Sequence, residues 1–92
     1  MSEEDAVNLY NKYVDVINTL ENSVKSNLNL ALSKIQTAYE VLNRSWDSET
    51  KASKMKELEE IERRISEKIK LLNTITIEIS NVMSSLENNY GI

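Results

Sequence analysis

From Met1 to Tyr90 the chain holds neither of the two strongest helix breakers: Pro is absent, and the one Gly is Gly91. Proline removes a backbone donor and collides with the preceding turn, while glycine supplies the positive φ that tight turns need. Without either, 92 residues have little punctuation for a sheet or a series of short elements. That length allows one domain at most. The apolar pattern then decides the fold. In the first half it runs through Tyr10, Tyr13/Val14, Ile17, Leu20, Val24 and Leu28, and on through Ala31, Ile35, Ala38 and Leu42. Steps of three and four residues trace one face of a helix. Leu9, Val16, Leu30 and Val41 widen the stripe.

This periodicity predicts a first helix over about residues 3–43, on the order of 60 Å long at about 1.5 Å per residue. Ser2 followed by Asp5 resembles a capping box, and Glu3, Glu4 and Asp5 put negative charge where the helix dipole favours it. The one clear interruption is Asn43-Arg44-Ser45-Trp46-Asp47-Ser48, which holds the only tryptophan at mid-chain. Asp47, Ser48 and Thr50 are all able to cap a second helix, with Glu49 in its first turn. The turn is placed at about 44–48 and the second helix at about 48–87. Its seam is Met55, Leu58, Ile65, Ile69 and Leu72, then Ile79, Met83 and Leu86, interrupted at Glu62 and Thr76. This is the spacing of a coiled-coil or bundle contact, broadened by Ile61, Ile75 and Val82. Asn73–Ile79 alternates with period two like a strand, but a lone strand has no partner here, so the helix is expected to continue. Asn88–Ile92 is expected to be a frayed tail.

The composition leaves little room for chemistry. With no Cys there is no disulfide, thiol nucleophile or thiolate metal site, and with no His a general base would have to be a carboxylate, Lys or Tyr. Carboxylate pairs on long helices can hold two metals, but such sites need Glu-x-x-His ligands that are missing here. No enzymatic activity, cofactor or metal is expected. Glu62 has two open readings: a buried charge that sets register against a cation, or a side chain whose carboxylate reaches the rim.

A net charge of −4 argues against nucleic acid as a partner. The three tyrosines Tyr10, Tyr13 and Tyr39 lie on or beside the apolar stripe and suit a core or interface better than base stacking. No apolar run approaches the roughly 18 residues of a membrane span, and the net acidity argues against a membrane-surface helix. No small-molecule substrate is expected either. Pairs such as Glu59/Arg63 and Glu60/Arg64 mark a solvated helix face. Charge is dense over 49–70, whereas 71–92 carries only Glu78 and Glu87. The low-charge end, formed by the start of helix 1 and the end of helix 2, is where a partner is expected to bury surface.

Helix–helix association remains. A two-helix hairpin cannot enclose a core, and both stripes are wider than a two-stranded seam requires. The expectation is an all-α antiparallel hairpin that pairs into a four-helix bundle, with itself or with helices of another protein.

Two long helices about a mid-chain Trp, with the text Leu42 and Ser45-Trp46-Asp47-Ser48, resemble the WXG family, the ESAT-like substrates of type VII (ESX) secretion. The resemblance covers the whole chain as architecture and these few residues as sequence. It implies a tip built from Trp46, Asp47 and Ser48, dimerisation, and export without a cleavable signal peptide from a cytoplasmic precursor. The acidic, polar N-terminus, Met-Ser-Glu-Glu-Asp, is consistent with no cleavable signal. Ser48 stands where the family has Gly, and Ser does not readily take positive φ, so a somewhat different turn is expected. The family's Tyr-x-x-x-Asp/Glu export motif is absent: Tyr10, Tyr13 and Tyr39 are followed four residues on by Val14, Ile17 and Asn43, and Tyr90 lies too near the end. By analogy a partner carries that signal, such as the N-terminal helical region of a secreted LXG-type toxin. The alternative is a non-secreted helical adaptor or subunit of a complex.

Overall fold

In the computed structural model residues 1–45 and 47–92 are described, with Ser45 and Ser48 as backbone only. The described residues are helical almost throughout and form an extended antiparallel hairpin. The first arm comprises α1 (Glu3–Thr19), a π-helical segment (Leu20–Lys25) and α2 (Ser26–Ser45), and the second arm is α3 (Ser48–Tyr90). The rod measures 66 × 16 × 13 Å. Its length is that of α3 alone, whose 43 residues span about 65 Å at about 1.5 Å each. A globular domain of this size has a radius of gyration of about 12 Å, against 20.2 Å here.

Local chemistry fixes the helix ends. The Ser2 hydroxyl accepts from the Asp5 N–H at 3.1 Å and opens α1, with Glu3, Glu4 and Asp5 in the first turn. Asp47 caps α3 by accepting from the N–H groups of Glu49 and Thr50 at 3.1 and 3.0 Å. At its C-terminus α3 runs to Tyr90 rather than stopping near 87. Gly91 takes the left-handed conformation (φ 67°, ψ 30°) and its N–H returns to the Glu87 carbonyl at 2.9 Å. The residues expected to fray are therefore held by a glycine stop, which only a residue without Cβ adopts freely. The first arm likewise extends two residues beyond 43, to Ser45. Asn73–Ile79 is helical, as the continuing seam requires.

The π-helical segment was not anticipated, although its cause is visible in the residues. On α3 the half-buried positions keep the alternating three-and-four spacing of a heptad from Met55 to Leu86. In the first arm two consecutive four-residue steps, Leu20 to Val24 to Leu28, place one residue too many between otherwise heptad-spaced stretches. A wider π turn absorbs a single inserted residue, so both ends of the stripe face α3. Glu21 and Lys25 pair across this segment at 3.4 Å.

Two side-chain bonds across the arms set the register. Tyr10 Oη donates to Glu87 Oε1 at 2.7 Å near the open end, and Gln36 Nε2 donates to Glu62 Oε2 at 2.9 Å toward the tip. Interpolation between them places Thr76 opposite the π-helical segment.

Deletion of Asn22 is expected to convert the π turn to ordinary α-helix and keep the seam aligned, with little change in thermal midpoint. Deletion of Ser33, in α2, should rotate the stripe off α3 and lower the midpoint sharply. Circular dichroism melts of the two single-residue deletions distinguish these outcomes.

Candidate interaction surface

Burial is thin. Among the described residues only Ala6, Ile35, Leu42 and Leu86 are buried, and none of their large side chains is fully enclosed. A compact monomer of 10.6 kDa would expose about 5,500 Å², whereas this chain exposes 6531 Å². The excess reflects helices that cover each other on one side only.

The seam residues named from the sequence are distributed accordingly. Ile35, Leu42 and Leu86 are buried. Tyr10, Val14, Ile17, Leu20 and Leu28 on the first arm are half-buried, as are Met55, Leu58, Ile65, Ile69, Leu72, Ile79 and Met83 on α3. Val24, within the π turn, is exposed. Ala6, the most buried residue of all, was not named from the sequence. It stands one helical step before Tyr10, so extending the stripe backward would have found it.

At the tip, Trp46 lies outside the described residues. Asp47 is the cap, chosen from the three candidates, and Thr50 Oγ1 adds a 3.0 Å bond to its second carboxylate oxygen. Backbone and side-chain donors from Thr50 hold the Asp47 carboxyl below the usual carboxylate range. Ser48 is the first residue of α3, and among the described residues only Gly91 has positive φ. Position 48 therefore needs no glycine in this chain, because the capping role falls to Asp47.

Glu62 follows the rim description, its carboxylate reaching an exposed bond at the edge of the seam. It is half-buried, and its partner across the arms is the neutral Gln36 amide rather than a cation. Tyr39 lies on the same side of the rod. Partial burial and the nearby charges of Glu62 and Glu59 push its hydroxyl pKa up. At the other end the hydrogen bond to Glu87 raises that of Tyr10. Thr76, the other polar seam position, buries its hydroxyl oxygen without a hydrogen-bond partner. On the solvated face of α3, Glu60 pairs with Arg63 and Arg64, and Arg63 also with Glu67. The expected Glu59/Arg63 pair does not form, because Glu60 and Glu67 engage that guanidinium.

The two broad faces of the rod differ. One carries the Tyr10–Glu87 and Gln36–Glu62 bonds and Tyr39. On the other, about 140° around α2 from Gln36, a groove of about 400 Å³ runs between the arms, lined by Ala38, Val41, Leu42, Lys54, Glu57, Leu58 and Ile61. The groove lies in the tip half of the rod. Heptad steps from Ile61 along α3 continue this side to Ile75 and Val82, with Leu71 beside them. Leu71 is 57% exposed and Ile61 47%, although both are large and apolar.

No family model, curated protein or solved structure matches the chain.

Among the described residues no group of three metal-ligating side chains comes together, and no helix is long and apolar enough to cross a membrane. What this surface can do physically is bury apolar side chains against another helical surface.

Two stability changes follow. Thr76→Val should remove an unpaired buried hydroxyl at nearly constant volume and stabilise the fold by about 1 kcal/mol in denaturant titration. Asp47, with its folded pKa depressed, stabilises the fold above the ordinary carboxylate pKa, and that contribution disappears as pH falls through the folded value. Asp47→Asn keeps a capping oxygen that does not titrate. Its thermal midpoint should fall less steeply than that of the wild type on acidification below about pH 4, with residual dependence from Glu60.

Proposed function

We propose that this chain is a WXG-like protein of type VII secretion, an exported substrate or the targeting partner of a larger effector, acting through helix–helix association. In this role the hairpin pairs with a second hairpin, identical or different, to complete a four-helix bundle. The observation that carries the proposal is the uncovered apolar side of a two-helix rod. Val41, Ile61, Leu71 and Val82 remain exposed on one side while the arms have no further helix to cover them. Apolar area of this extent normally marks a surface of association. Two arms of equal length about a mid-chain Trp, with a capped helix starting directly after it, support the family part of the proposal.

Tyr10, Tyr13 and Tyr39 do not open a Tyr-x-x-x-Asp/Glu motif, which favours the targeting-partner version, in which the bound protein carries the signal. An LXG-type effector with an N-terminal helical region has the chemistry required, a long amphipathic helix pair. A non-secreted adaptor would share the association and lack the export.

Export from the native cell tests the proposal. The protein is expected in the medium when the type VII ATPase is intact, and retained when the ATPase is deleted or Trp46 is changed to Ala. Secretion that ignores both changes, or complete retention in the wild type, would remove the secretion assignment and leave the adaptor.

A further inference from the structure

We infer that the π turn is one setting of a two-state switch in the first arm. The other setting is an unbroken α-helix whose open half is rotated against α3. The inference does not rest on the secretion assignment. It follows from residues 6–24, which carry two apolar stripes rather than one.

In the observed setting Ala6 is buried and Tyr13 and Leu20 are half-buried, while Val7 and Val24 stand exposed. The second stripe emerges when the heptad of α2 is continued toward the N-terminus with no π turn. From Leu42, Ala38, Ile35, Ala31 and Leu28 it steps back to Val24, Glu21, Ile17, Val14, Tyr10 and Val7. The steps alternate between three and four throughout, and Glu21 is the one charged residue among them. Tyr10 and Ile17 belong to both stripes. The remaining seam positions exchange with a chain neighbour: Ala6 for Val7, Tyr13 for Val14, Leu20 for Glu21. Because the π turn takes up one residue, its loss turns the open half by up to about 100° and adds about 1.5 Å of rise.

The opposite arm already holds a partner for the second setting. A carboxylate brought into a seam needs a hydrogen-bond donor. The register of the two cross-arm bonds puts Glu21 level with Thr76. Among the described residues Thr76 alone buries a side-chain polar atom that has no hydrogen-bond partner. In the rotated helix its hydroxyl donates to the Glu21 carboxylate, which satisfies both groups. Each setting leaves something unmet. The observed one has an orphan hydroxyl and two exposed valines, and the unbroken one has a charge in the seam with Tyr13 and Leu20 displaced from it. Opposed costs of this kind allow one sequence two packings close in free energy.

The switch acts on one half of the rod. The groove of Val41, Leu58 and Ile61 lies on the tip side of the turn and keeps its lining in both settings. The open half changes its outer surface, showing Val7 and Val24 in one setting and Ala6, Tyr13 and Leu20 in the other. A surface that binds either set shifts the population by its difference in affinity for the two.

Glu21→Leu tests the inference, because it makes the second stripe wholly apolar and should settle the chain in the unbroken setting. The chain has no Cys, so Ala6→Cys and Val24→Cys, introduced singly, report burial at each stripe by their rate of reaction with a thiol reagent. When Glu21→Leu is added, Ala6→Cys is expected to react about tenfold faster and Val24→Cys about tenfold more slowly. Opposite changes identify a rotation, whereas destabilisation accelerates both reactions and general tightening slows both. Deleting Asn22 removes the spare residue, and in that chain Glu21→Leu should leave Ala6→Cys protected. Circular dichroism checks that each variant keeps its helix content. Rates that move together, a rate unchanged at either site, or equal exposure of Ala6→Cys with and without Asn22 would each overturn the inference. Export is measured separately, so a failed switch leaves the secretion proposal standing.

Discussion

Everything in this molecule depends on a single seam between two helices. Each arm can cover only one side of the other, so the layer of contact is one side chain deep and runs the length of the rod. Apolar burial is the main favourable term in folding, and a seam of this kind supplies it in a line rather than a core. Ala6, Leu42 and Leu86 are buried because they sit on that line, and Ile35 for the same reason. Side chains one position around the helix are left outside it. The uncovered apolar flank is thus a geometric consequence of having two arms and wide stripes.

The seam also explains the one irregular stretch of backbone. α3 holds the seven-residue spacing of a supercoiled helix, and the first arm must match it over the same length. One residue more than the heptad allows would rotate half of the first arm's stripe away from α3. The π turn at Leu20–Lys25 takes up that residue where the helix can widen, with the Glu21–Lys25 pair spanning it. The level of this turn on the rod is also where Thr76 has a buried hydroxyl without a partner.

Polar side chains add direction to a contact that apolar burial leaves nonspecific. Tyr10–Glu87 and Gln36–Glu62 sit on one face, and they tie the arms in register, the second through a carboxylate that stands at a seam position. On the groove side Val41, Ile61, Leu71 and Val82 are left uncovered, while Ile77 and Val7 stay exposed elsewhere on the rod.

How much was legible in the sequence follows from the range of each effect. Helix identity is local: the lack of Pro, the one late Gly and the three-and-four spacing act within a few turns, so the two arms and their antiparallel path could be read directly. The start of α3 was legible to within the choice among Asp47, Ser48 and Thr50. The stop at Gly91 was present in the sequence too, but the Asn-rich tail before it suggested fraying. Tertiary structure decided what depends on the opposite arm. It turned a surplus residue into a π turn, gave Glu62 a glutamine rather than a cation, and left an apolar groove on the side away from the cross-arm bonds. Those outcomes require two stripes to be matched across 66 Å, a condition that neither stripe contains by itself.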